Sequence, residues 1–337
     1  MKKTKTGLLF SMLFFLILCN VDLAIYADTS PPSYPVKLIF VHHSTGGNWL
    51  ADSNMDGPYG ELGKELMDNN YYVSATNYGW GPDSIGDNTD IPDWPDWFTG
   101  VDSDTILSRL YAETGQNILD YGPWSRLSQD PGGENVIVMF KSCFPNSDLF
   151  GEPDDEPATT INEQFTVANA KAVYNNILTY FATKQDKLFV VITAPPQIEA
   201  DYYPDYQSAD HRAANARAFN NWLVNELLDS YDYKNVAVFD YYNVLTDVEN
   251  HHRITDGQVE HVINTDYNFA GYPSGDSHPS TEGHQKATAE FVPLLNYHYN
   301  AWVASDGYED SSETENGNRG DSGGGGGGCF IDCLRSY

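Results

Sequence analysis

The stretch Val36-Lys37-Leu38-Ile39-Phe40-Val41-His42-His43-Ser44-Thr45-Gly46-Gly47 begins as an apolar, β-branched run and ends in a polar turn. Such a run suits a strand buried on both faces, as in a parallel sheet. Its polar end places Ser44 on the C-terminal rim, where open α/β sheets form their ligand crevice. Gly46 and Gly47 are small enough there to let a substrate approach the backbone. Four further runs repeat the pattern: Tyr72 to Thr76, Val136 to Phe140, Leu188 to Thr193 and Val236 to Phe239. Helical patterns alternate with them near Tyr59 to Asn69, Asp104 to Asp120, Thr160 to Thr183 and Ser208 to Ser230, with a last one from Thr281 to about Tyr297. The alternation predicts a three-layer α/β/α sandwich around a mainly parallel five-stranded sheet.

The chain ends differ from this body. Lys2, Lys3 and Lys5, followed by the apolar stretch Gly7 to Cys19, read as an export signal with cleavage after Ala27. Residues 1–27 are therefore expected to be a signal peptide and 28–304 a single domain, secreted or held at the cell surface. Leu18 is not the small residue that normally precedes a lipidated cysteine, so Cys19 is not read as a lipid anchor. No later segment is apolar for the length needed to span a bilayer. Residues 305–337 turn acidic, run through Gly323 to Gly328 and end near Cys329 and Cys333, a composition that predicts a flexible tail.

The formal net charge is -30, a field that repels nucleic acid and anionic lipid. It suits an extracellular protein and would tolerate Ca²⁺ without requiring it. Once Cys19 leaves with the leader, Cys143, Cys329 and Cys333 remain, an odd number that excludes a closed disulfide framework. Stability must then come from a buried core, for which the chain is long enough.

Two long loops interrupt the alternation, Trp80 to about Asp102 and Cys143 to Ala158, and long loops in compact domains are commonly functional. Both follow strands and should emerge on the rim that carries Ser44. The first holds Trp80, Trp94, Trp97 and Phe98, which suit a wall on which a sugar ring stacks, or equally a set of anchors pinning the loop to the domain.

Two more elements carry chemistry. The run Val136 to Phe140 leads into Lys141-Ser142-Cys143-Phe144-Pro145-Asn146-Ser147-Asp148, which delivers an amide donor, Asn146, to the rim. Ser274-Gly275-Asp276-Ser277-His278-Pro279-Ser280 holds a histidine on a short loop before the last helix, with Ser280 as its N-cap. A serine hydroxyl attacks only when a base takes its proton, and histidine has the right affinity at neutral pH.

Ser44 near the N-terminus, the glycines of Asn77-Tyr78-Gly79-Trp80-Gly81-Pro82-Asp83 after the second strand, Asn146 after the third and His278-Pro279 before the last helix together resemble the SGNH (GDSL-like) hydrolase superfamily. The resemblance covers nearly the whole mature domain. It implies a flavodoxin-like sandwich and an esterase, lipase or carbohydrate deacetylase. It further implies Ser44 as nucleophile, His278 as base, and an oxyanion hole from the Ser44 amide, a glycine amide and Asn146. Gly81 is preferred as that glycine, with Gly79 the alternative. The sequence departs from the family at two places. His43-Ser44-Thr45 stands where Gly-Asp-Ser is usual, and Gly275 stands three residues before His278 where an aspartate is usual. The imidazole is then oriented by Asp276, two residues away, or by a backbone carbonyl.

No cofactor is expected, and the substrate is an ester, with acetylated polysaccharide preferred. Three rival readings follow from the same residues. His42, His43, His278 and His284 with Asp276 suit a metal-dependent hydrolase, although neighbouring His42 and His43 on a strand end point to opposite faces. Cys143 could act as a thiol nucleophile, but nothing around it in sequence lowers its pKa, and a small buried thiol fits better. A non-catalytic glycan-binding module would use the tryptophan loop and have no need of the Ser44, Asn146 and His278 set.

Overall fold

The computed structural model describes residues 26–53 and 57–305, so the expected leader up to Ile25 and the tail from 306 lie outside the described residues. In chain order the elements are β1 Val36–Val41, α1 Thr45–Leu50, α2 Leu62–Asp68, β2 Tyr71–Thr76, α3 Trp94–Phe98, α4 Ser103–Ala112, β3 Ile137–Lys141, α5 Val167–Phe181, β4 Leu188–Ile192, α6 Ala209–Asn225, β5 Val236–Phe239, α7 Tyr241–Val244, β6 His251–Thr255, β7 Gln258–Val262 and α8 Thr281–Val303. The first five strands pair in parallel in the order β2-β1-β3-β4-β5, as the continuous apolar runs predict. No helix among the described residues is long and apolar enough to cross a membrane.

The sheet divides two cores. Leu38 and Phe40 of β1 face one way, onto Trp49 of α1, Leu62 and Leu66 of α2 and Phe291 and Leu295 of α8. Ile39 and Val41 face the other, onto Trp94 and Phe98 of α3, Leu107 of α4, Val173 of α5 and Phe219 of α6. That is the alternation a pleated strand imposes, and it gives the three expected layers.

Helix boundaries shift where capping decides them. α5 starts at Val167 because the Thr166 side chain accepts the Asn169 amide. α4 ends at Ala112 because Glu113 turns extended and its carboxylate takes the amides of Thr114 and Gly115. The hairpin β6-β7 was not expected. Asp256 and Gly257 turn it with φ of 52° and 72°, the left-handed pair that a tight hairpin requires.

The strand order reverses at β1, whose chain leaves toward β2 on one side while β3 lies on the other. The turns after β1 and β3 therefore flank the switch point where α/β sheets open a crevice. Ser44 follows β1, and the 3-10 turn Phe144–Ser147 follows β3.

Candidate active site

Ser44 leaves β1 with φ 37° and ψ -96°, a backbone conformation that side chains other than glycine rarely adopt. Strain of this kind persists only where the surroundings enforce it, and it concentrates at functional sites. Here the enforcement comes from α1. A Cβ on Gly46 would lie 2.5 Å from His42 Cβ, and one on Gly47 would lie 2.5 Å from the Tyr121 ring. Both glycines serve close internal packing, which corrects the expectation that they clear space for substrate.

Ser44 Oγ lies 2.5 Å from His278 Nε2. The other ring nitrogen, Nδ1, is 3.0 Å from Asp276 Oδ1, which also accepts the His278 backbone amide at 2.9 Å. Partial burial pushes the Asp276 carboxyl up, but the His278 amide and ring outweigh it and hold the group below its ordinary value. The histidine loop is itself braced. Ser274 donates to the His278 carbonyl at 2.8 Å, Ser280 caps α8, Ile198 donates to Ser277 Oγ at 3.0 Å, and that hydroxyl donates to Asp201. The Phe144 ring meets the imidazole edge-on at 4.9 Å.

Asn146 is 1 % exposed and already engaged: Oδ1 accepts the Ile91 amide at 2.7 Å, and Nδ2 donates to Asp90 Oδ1 at 2.6 Å. An amide nitrogen carries two hydrogens, so one N–H remains beyond this scaffold role. Of the two candidate glycines, Gly79 gives its amide to Asp87 Oδ1 at 2.7 Å. Gly81 has φ 80°, which its glycine identity permits.

The tryptophans are not a sugar wall. Trp94 and Trp97 have no exposed surface; Trp94 Nε1 donates to Ser142 Oγ at 3.1 Å and Trp97 Nε1 to the Asn88 carbonyl at 2.6 Å. Trp80 is almost as buried, stacks parallel on Trp97 at 5.7 Å and donates to Glu113 Oε2. The loop folds into 3-10 turns and α3, turning every indole face into the core beside Phe140. Other aromatics stand nearer the rim: Phe144 packs on His278, and Tyr78, half-exposed, stacks on His43 at 3.9 Å. Sequence reasoning passed over Tyr78 although it adjoins Gly79 in the second motif.

His42 and His43 do part to opposite faces. His43 donates through Nε2 to the Gly86 carbonyl and accepts from Thr89 Oγ1 at Nδ1, 2.9 Å away. His42 packs on Phe40, with both ring nitrogens buried. One position past the last register pair, Val41 with Phe140, it stands beside Lys141, which is fully buried and donates to the Ser142 carbonyl at 3.2 Å. His284 Nδ1 pairs with the Tyr241 hydroxyl at 2.8 Å. Burial, with the nearby Lys141 charge second, lowers both His42 and His284 to about 3, and burial lowers Lys141. Among the described residues no group of three or more His, Cys, Asp or Glu side chains is arranged to hold a metal ion. Cys143 is half-buried rather than buried, its sulfur 3.2 Å from Thr45 Oγ1.

The site is thus a serine, a histidine and a carboxylate in hydrogen-bonded series on the rim of a parallel sheet, the arrangement of a hydroxyl nucleophile with its base. No family model matches the chain, and no curated protein matches it. Among solved structures it is similar to a carbohydrate esterase whose active site "displays divergent catalytic and non-catalytic binding functions", at 15% identity over 80% of this chain and 68% of that one, TM-score 0.35. It is also similar to a carbohydrate esterase family 2 enzyme with a carbohydrate-binding domain from Corynascus thermopiles (Myceliophthora fergusii), at 13% identity over 80% and 68% of the two chains, TM-score 0.33.

Proposed function

We propose that this protein is an exported serine esterase of the SGNH hydrolase type that removes acyl groups, chiefly acetyl, from carbohydrate. The observation that carries the reading is the series Ser44 Oγ, His278 Nε2, His278 Nδ1, Asp276 Oδ1, built at the sheet's switch point from two ends of the chain. His278 Nε2 takes the hydroxyl proton as Ser44 Oγ bonds to the ester carbonyl carbon. The oxyanion then receives N–H groups from Ser44, Gly81 and the second hydrogen of Asn146 Nδ2. His278 returns the proton to the departing alcohol oxygen, leaving an acyl-serine. Water repeats the sequence in reverse, giving up a proton to His278 and releasing the acid with Ser44 restored. Asp276 holds the imidazole with its proton on Nδ1 and offsets the positive charge that forms on it.

The test is hydrolysis of 4-nitrophenyl acetate and of acetylated xylooligosaccharide by the domain beside Ser44→Ala and His278→Ala. Each variant is expected to lose about 10⁴-fold or more in kcat, because members of such a set act as a unit. Retained hydrolysis in Ser44→Ala would overturn the proposal.

A further inference from the structure

A cleft of about 430 Å³ opens beside His278, between the turn after β3 and the segment after β4, lined by Phe144, Asp148, Gln197, Asp201, Tyr203 and Asp276. In the proposed reaction His278 must protonate the departing alcohol oxygen, so the alcohol half of the ester lies on the histidine side of Ser44. Phe144 and Asp276, which border the cleft, are the two side chains touching the His278 ring from that side. The cleft is therefore where the alcohol half, and whatever extends from it, must run.

The lining is organised from beneath by Arg212 of α6, which is 2 % exposed. Its guanidinium donates to Asp148 Oδ2 at 2.9 Å and to the Tyr203 carbonyl at 2.5 Å, and lies over the Phe150 and Tyr202 rings. Main chain at Tyr203 is thus fixed while its side chain stands 82% exposed, the arrangement of a preset flat platform. Asp148, Asp201 and Asp276 each hold a partner within the protein, respectively Arg212, Ser277 and His278. An ionised carboxylate has several acceptor sites, so each keeps capacity for a ligand hydroxyl.

We infer that this cleft is the subsite for the sugar residue bearing the ester, that Tyr203 is its stacking platform, and that its three carboxylates select uncharged polyhydroxylated rings and reject uronic acids. The inference rests on the esterase reading for the direction of the substrate. Rejection follows from like charge: a uronate carboxylate would enter beside three others, within a chain of net charge -30. Neutral hydroxyls instead donate to them.

The test is calorimetric binding of xylohexaose and of hexagalacturonate to the Ser44→Ala protein at low salt, in which nothing is turned over. Xylohexaose is expected to bind, about ten-fold or more weaker in S44A with Tyr203→Ala and within about three-fold with Tyr203→Phe, which keeps the ring. Hexagalacturonate is expected to bind at least about ten-fold more weakly than xylohexaose, with the gap narrowing as salt screens the carboxylates. Absence of xylohexaose binding, indifference to Tyr203→Ala, or equal binding of the two sugars would overturn the inference. A parent protein that binds xylohexaose in this way yet hydrolyses no ester would sink the reaction and leave the sugar subsite standing.

Discussion

Asp276 Oδ1 grips His278 twice, at the backbone amide and at ring Nδ1, with only one residue between them in sequence. Gly275, just before this pair, takes φ 123°, a conformation open to glycine. Asp276→Asn is expected to lower kcat by about 10- to 10³-fold with a small change in KM, less than a buried triad carboxylate would cost, because water screens a half-exposed charge. Steady-state kinetics on a short ester measure this. An unchanged kcat would assign orientation of the ring to the brace around Ser277 instead.

Asn146 is a buried scaffold residue whose side-chain amide keeps one N–H beyond its bond to Asp90. Asn146→Ala leaves the Ile91 amide without its partner and is expected to cost roughly 1–3 kcal/mol of stability. The same change should lower kcat about 10²- to 10³-fold if the second N–H serves the oxyanion. Urea melts and kinetics on one preparation separate the two. Lost stability with intact kcat would leave Asn146 a scaffold residue only.

Trp94 and Trp97 are expected to matter for folding rather than for sugar binding. Trp94→Ala or Trp97→Ala should destabilise by about 3–5 kcal/mol, as truncation of a buried aromatic does. Chemical denaturation checks this, and full stability with weakened polysaccharide binding would contradict it.

Stability should fall in mild acid. His42, His252 and His284 are buried, and burial above all lowers each to about 3 in the folded chain, against about 6.5 when unfolded. His252 Nδ1 accepts the Asp240 amide and so is unprotonated there. Below pH 6.5 the unfolded state takes up protons that the folded state refuses, so stability is full above that pH and lost as pH drops toward 3. At about 1.4 kcal/mol per unit for each ring, the loss between pH 7 and 5 is on the order of 5 kcal/mol. Melting temperature followed from pH 8 to 4 tests it; a flat profile would contradict neutral burial of these rings.

Much of this was written in the sequence, and the rest was not, for physical reasons. Strands buried on both faces leave uninterrupted apolar runs, so β1 to β5 and the rim position of Ser44 could be read directly. The pairing of Ser44 with His278, 234 residues apart, was legible only through the family resemblance, because no local pattern links them. Tryptophan in a loop announces an aromatic, not the direction its face takes, and the short 3-10 turns and five-residue α3 that carry the loop inward are too brief to leave a periodic signal. The β6-β7 hairpin alternates charged with apolar residues only weakly, yet Asp256-Gly257 was a turn signal available to be read. Asp276 stands off the usual spacing, and only its 3.0 Å contact with His278 Nδ1 shows that it still reaches the ring.

Covalent trapping addresses the role of Ser44 without reference to any natural substrate. The domain is treated with an alkyl fluorophosphonate, and the modified residue is located by peptide mass spectrometry. A single adduct on Ser44, formed rapidly by the parent and at least about a hundred-fold more slowly by His278→Ala, is the expected result. An unmodified Ser44, or modification at another residue, would contradict a Ser44 acyl-enzyme.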